Sequence, residues 1–109
     1  RADAALVDAP CSNLGSLRRR PEARWRHGAD DLPRLVELQL ALLDAAVTAV
    51  RPGGAVLYSV CTWTRSETDG VVQRLLEGRD DLRLDSTRQL WPHRDGADGM
   101  FLARLFKVR

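Results

Sequence analysis

Apolar residues along this 109-residue chain fall into blocks whose spacing changes from one block to the next. AALVDAP, residues 4–10, is a short apolar run stopped by Pro10 and reads as a strand. From Asp31 and Pro33 the spacing becomes helical. Leu35, Leu38, Leu42, Ala45 and Ala49 mark one stripe, and Leu43, Ala46 and Val50 broaden it. Asp31 suits the cap of that helix, and Pro33 is tolerated in its first turn. RPGG, residues 51–54, should end it, since Pro52 cannot continue a helix and the glycines permit a turn. GAVLYSVCT, residues 54–62, is apolar without alternation, the pattern of a strand buried on both faces. Ser66 opens a second helix with Val71, Val72, Leu75 and Leu76 as its apolar face, closed by Gly78. DLRLDSTRQLW (81–91) and GMFLARLFKV (99–108) read as two further strands joined by the turn-rich PHRDGADG.

The predicted order is strand, helix, strand, helix, strand, strand. It implies an α/β fold in which right-handed βαβ units build a parallel sheet. The last two strands should form an antiparallel hairpin at one edge, because their connection is too short for a helical crossover.

Composition narrows the class. With 44% hydrophobic and 29% charged residues the chain is globular, its apolar runs fall short of a membrane span, and it lacks a signal-peptide pattern. It opens on Arg1 rather than Met, which suggests a piece of something longer. The net charge of +2 is small, but the basic residues are clustered: Arg18, Arg19, Arg20, Arg24 and Arg26 surround Trp25 and His27. Guanidinium forks match phosphates and tryptophan stacks on bases, so this stretch is a candidate RNA contact. The plainer reading is a solvated loop with Glu22, Asp30 and Asp31 as counter-ions.

Two cysteines carry the candidate chemistry. Cys11 directly follows Pro10, and Cys61 closes the run LYSVC. Both stand at the carboxyl ends of strands linked by one crossover helix, where open α/β sheets bind ligands. The residues alone leave several readings. The thiols are candidates for core packing, for a redox couple without a CxxC spacing, or for joint catalysis; a metal site lacks clustered histidines, since His27 and His93 show no ligand spacing. Asp8, Pro10 and Ser12 around one thiol and Thr62 after the other favour catalysis. Nothing marks the chain as secreted, so it reads as cytoplasmic with reduced thiols.

DAPCSNLG (8–15), LRRRPEARW (17–25), GGAVLYSVCT (53–62) and DGMFLARLFK (98–107) together resemble the later motifs of the RNA cytosine-C5 methyltransferases, most closely the Sun/Nop2-type bacterial ribosomal RNA methylases. The match spans nearly the whole chain, with four motifs in the family's order. The resemblance implies that residues 1–109 are the carboxyl-terminal half of a Rossmann-like class I methyltransferase domain. It implies S-adenosylmethionine as methyl donor and RNA, ribosomal RNA above all, as substrate. Cys61 matches the cysteine that attacks cytosine C6, and Cys11 the one that assists release of the methylated product. Asp8 matches the acid that hydrogen-bonds the ring at N3, and the backbone of Pro10 would help hold the exocyclic amine. Ser12, Arg18 and Arg19 would contact the RNA, and Asp8 and Pro10 would also border the methyl donor.

The chain departs from the family at several points. Asn13 and Leu14 replace Gly-Thr, Val60 replaces the threonine before the nucleophile, and Thr68 replaces the asparagine after Glu67. The Gly-rich loop that holds the donor does not precede AALVDAP; Gly53 and Gly54 come before a strand rather than after one. Two rival functions make different predictions. A thiol–disulfide protein would form a Cys11–Cys61 bond readily and ignore RNA. A non-catalytic RNA-binding or assembly module would bind RNA in a salt-dependent way without needing Cys61. DNA cytosine-C5 methylation is a weaker third choice, because those enzymes attack with the Pro-Cys thiol.

Overall fold

The computed structural model describes residues 1–10, 32–62, 64–91 and 99–109. Its elements are β1 (Ala2–Asp8), α1 (Leu32–Ala49), β2 (Val50–Val60), α2 (Asp69–Gly78), β3 (Leu82–Leu90) and β4 (Met100–Lys107). They form one four-stranded sheet in the order β1-β2-β4-β3. β1 and β2 pair in parallel around the α1 crossover, and β4 runs antiparallel to both β2 and β3. The α/β class, the parallel pair and the terminal antiparallel hairpin all stand as the sequence predicts.

Both helices pack on one face of the sheet. Val7, Val56, Tyr58, Val60, Phe101, Ala103 and Leu105 point into this layer and meet Val36, Leu43 and Val47 of α1 and Val71, Val72 and Leu75 of α2. Tyr58 and Phe101 meet edge to face at 6.4 Å between ring centroids, a favoured aromatic geometry. No described helix covers the opposite face. Leu6 and Leu57, partners across β1 and β2, are 67% and 37% exposed, so β2 is not buried on both sides as its apolar run predicts. Among the described strands β1 has one neighbour, which leaves its outer edge bare.

The boundaries and the helix face differ from expectation for identifiable reasons. β2 begins at Val50, yet its pairing jumps from Ala2↔Val50 to Ala4↔Ala55, so RPGG bulges out of the ladder rather than forming a separate turn. Gly53 sits there at φ +86°, the left-handed region that glycine tolerates. A Cβ on Gly54 would lie 2.3 Å from Val50 Cγ1 and 2.6 Å from the Asp3 carbonyl oxygen, which is why two strands approach so closely there. On α1 the buried stripe is Leu35, Val36, Gln39, Leu43 and Val47, while Leu38 and Leu42 of the predicted stripe face outward. A glutamine in the middle of the true stripe disguised it. α2 begins at Asp69 instead of Ser66, because the preceding residues form a turn around a buried side chain, described below.

Among the described residues no helix is long and apolar enough to cross a membrane.

Candidate active site

The parallel register brings the two strand ends together. Asp8 is paired with Ser59, and the Ala9 N–H donates to the Ser59 carbonyl at 3.0 Å, carrying the ladder one residue further. Continued by one more step, this register sets Pro10 level with Cys61. Asp8 is exposed at the end of its strand, Pro10 is exposed beside it, and Cys61 is half-buried against the core. Cys11, Ser12, Arg18 and Arg19, with Trp25 and the rest of the arginine stretch, lie outside the described residues, as does His93.

A buried polar network ties these strand ends to each other. The side chains of Gln39, Thr62 and Glu67 are fully enclosed. Gln39 Nε2 donates to the Pro10 carbonyl at 3.0 Å and to Glu67 Oε1 at 3.3 Å. Glu67 Oε2 accepts from the hydroxyls of Thr62 at 3.0 Å and Thr64 at 2.5 Å. Tyr58 Oη, rising from the core, donates to the Glu67 carbonyl at 2.8 Å. The turn itself is local: the N–H groups of Glu67 and Thr68 both donate to the Thr64 carbonyl, and Gly70 N–H donates to that of Arg65 at 2.7 Å. The loop that follows Cys61 is therefore wrapped around the Glu67 side chain and cannot become helical until Asp69.

A second glutamine holds the same loop from the sheet side. Gln89 Nε2 donates to the Thr62 carbonyl at 3.3 Å and to the Met100 carbonyl at 3.0 Å. It borders a cleft of about 380 Å³ lined by Arg65, Thr68, Asp69, Thr87, Gln89, Trp91 and Phe101. A larger concavity, about 750 Å³, is lined by Asp44, Arg79, Asp81 and their neighbours. It lies at the opposite end of the sheet, beyond the amino ends of β2 and β3, and belongs to no strand end that carries a cysteine. There Asp81 hydrogen-bonds Arg79 Nε and a terminal nitrogen at 2.9 and 2.8 Å, and Asp44 accepts from the other guanidinium nitrogen. The hydrogen bond from Arg79 holds the Asp81 carboxyl below the usual carboxylate range, despite desolvation, and Asp81 in turn raises the Arg79 guanidinium.

Gln39 and Gln89 went unmarked in the sequence, and Glu67 stood there only as a motif position. The one signal available was a polar residue interrupting the apolar face of α1.

Comparison with known proteins shows the family. A family model described as 16S rRNA methyltransferase RsmB/F matches residues 1–106. Rv1407 of Mycobacterium tuberculosis is 46% identical over 121 residues, covering 97% of this chain and 26% of that protein. Ribosomal RNA small subunit methyltransferase B of Thermus thermophilus is 37% identical over 119 residues, covering 99% of this chain and 30% of the relative. The crystal structure of NSun6 from Pyrococcus horikoshii, solved with SFG, superposes with a TM-score of 0.82 at 27% identity, over 95% of this chain and 29% of that one. The chain thus spans between a quarter and a third of the length of these three proteins. Matched by that family model along almost its whole length, the chain belongs to the 16S rRNA methyltransferase RsmB/F family.

Proposed function

We propose that the chain carries the two-cysteine half of an RNA cytosine-C5 methyltransferase that acts on small-subunit ribosomal RNA. The observation that carries this reading is the parallel pairing of Asp8 with Ser59, extended by the Ala9–Ser59 hydrogen bond, which brings the strand leading into Cys11 and the strand leading into Cys61 to the same end of the sheet. The family match and the named small-subunit relatives support the substrate class. S-adenosylmethionine supplies an electrophilic methyl group when bound; the SFG in the NSun6 structure, an analogue of it, supports that donor. Asp8 and Pro10 are exposed at the strand end, open to a bound donor or base, while the Gly-rich donor loop has no counterpart in this sequence.

Cytosine C5 is too weak a nucleophile to take a methyl group unaided. The Cys61 thiolate adds to C6, and the ring electrons move towards N3, where Asp8 steadies the ring by a hydrogen bond. C5 is then an enamine carbon able to attack a methyl group. A base takes the C5 proton as the C6–S bond breaks and Cys61 leaves as a thiolate, which restores the aromatic ring; this covalent route divides one difficult step into easier ones. Cys11 assists the elimination. The target base must leave its stack to reach the strand ends, which suits an unpaired residue in folded RNA.

The test uses a full-length protein carrying this chain, incubated with S-adenosylmethionine and RNA containing 5-fluorocytidine. Fluorine at C5 cannot leave as a proton does, so the covalent complex accumulates. An adduct that forms with the wild type and disappears in Cys61→Ala supports the reaction and the nucleophile. RNA binding without any adduct refutes the methyltransferase reading and favours a binding module.

A further inference from the structure

We propose that Gln39 and Glu67 are positioning residues that hold the two thiol-bearing strand ends in fixed relation, Gln39 acting on the Pro10–Cys11 side and Glu67 on the Cys61 side. The inference rests on the reaction proposed above.

Stability alone does not account for the pair. A carboxylate with no solvent exposure is tolerated only where hydrogen bonds replace its water, and an apolar side chain of similar volume would serve a core at least as well. Gln39 is more telling. It occupies the centre of the apolar stripe of α1, fully buried, and its Oε1 has no hydrogen-bond partner among the described residues. Its amide cannot be turned over to relieve that acceptor. Both groups facing Nε2, the Pro10 carbonyl and Glu67 Oε1, are themselves acceptors. An uncompensated buried oxygen is retained here so that the nitrogen can bridge two loops.

Each contact bears on a different cysteine. The Pro10 carbonyl belongs to the peptide bond that enters Cys11, and a peptide unit is planar, so fixing the oxygen fixes the direction in which the chain enters that residue. Thr62 is the residue after Cys61, and its hydroxyl is anchored on Glu67 Oε2 while its carbonyl is anchored by Gln89. The backbone on the far side of the nucleophile is thus clamped from two directions. Gln39–Glu67 joins the two clamps through one hydrogen bond. A covalent reaction needs its attacking and releasing groups within a few tenths of an ångström of their working positions, and rigid support is how a fold provides this.

The experiment cuts the network on one side at a time in the full-length protein. Thr62→Val is nearly isosteric and removes the anchor beside Cys61. Gln39→Met keeps the stripe apolar and removes the anchor on Pro10. Adduct formation on 5-fluorocytidine RNA and release of ordinary methylated RNA are timed separately, beside the melting temperature. The expected result is a division: Thr62→Val slows adduct formation by roughly tenfold, whereas Gln39→Met slows release by more than it slows formation, so that a covalent complex accumulates on ordinary RNA. A merely structural role would lower the melting temperature and reduce both steps in parallel; that result overturns the proposal. So does an unchanged ratio of the two rates in two folded variants. If Gln39→Met does not fold, Gln39→Leu, which also keeps the stripe apolar, must still show the same asymmetry. Should the wild type itself give no adduct, the methyltransferase reading falls first and takes this inference with it.

Discussion

Lys107 is the only lysine in the chain, and its ammonium group is buried. Nζ donates to the Val47 carbonyl at 3.0 Å and to the Val50 carbonyl at 2.9 Å. The last four carbonyls of a helix have no partner within it, and α1, which ends at Ala49, has no basic residue in its last turn. Lys107 reaches back from β4, 60 positions along the chain, to close that end. In Lys107→Met the methionine fills the stem's volume but leaves two carbonyl oxygens beside fully buried valines without a donor. Hydrogen bonds from a charged donor contribute about 1.5–3 kcal/mol each, and the relief of no longer burying an ammonium offsets part of that. The net loss is roughly 2–3 kcal/mol, which for a domain of this size lowers the melting temperature by roughly 10–20 °C. Urea unfolding followed by circular dichroism reads this as a lower midpoint at constant slope, with Arg109→Ala, exposed at the terminus, as the control that barely moves. Amine acylation gives a second reading: Lys107 should label far more slowly in the folded chain than in the urea-unfolded chain. A Lys107→Met variant as stable as the wild type, or rapid labelling of native Lys107, refutes the capping argument.

Because Arg79 depresses the Asp81 carboxyl, that pair adds stability above the unfolded carboxylate range which is lost as pH falls through the lower folded value; Arg79→Ala should cost about 1–2 kcal/mol at pH 7 and progressively less towards pH 2, read as urea midpoints across that range. Val56→Ala should destabilise the chain by roughly 2–3 kcal/mol and Leu57→Ala by less than about 1, although leucine loses more carbon, because only Val56 faces the helices; equal midpoints would mean the register is wrong. Gly54→Ala should cost about 1–3 kcal/mol through overlap with Val50 and the Asp3 carbonyl, and a neutral effect would show that β1 and β2 do not approach so closely.

The fold was legible where pattern and pairing rules act on runs of residues. Two strands joined by a crossover helix, and a short connection that forces a hairpin, follow from spacing alone, and β1-β2-β4-β3 obeys both. The helix face was not, because Gln39 is polar by composition and buried by position. A pattern reading discards such a residue from the stripe, and the nearest apolar alternative runs through Leu38 and Leu42, which the structure exposes. The start of α2 was misplaced for a related reason. Ser66 looks like a cap, but the chain first turns around Glu67, whose carboxylate draws the hydroxyls of Thr62 and Thr64 inward. Cys61 and Asp8 could be located by motif and strand end. The groups that hold the loops beside them could not, since their meaning depends on contacts 28 and 29 positions apart in sequence.

The two ends of the sheet use buried polarity in opposite ways, and the contrast bears on which end is functional. At the amino ends of β2 and β3, Lys107 closes the carbonyls of α1, and Arg79 meets two carboxylates that match its donors. The Lys107 contacts complete carbonyls that folding would otherwise strand, and the Arg79 pairs lie near the surface. At the carboxyl ends, Gln39 keeps an orphaned oxygen, Glu67 brings a carboxylate into the interior, and Gln89 reaches from β3 to hold the loop after Cys61. None of these is the cheapest way to fill the space. Proteins depart from local rules of this kind chiefly where a site must be held in place. The departures here surround the two strand ends that lead into Cys11 and Cys61. These contacts support, on grounds that do not depend on the motifs, the proposal that this end of the sheet is the one organised for chemistry.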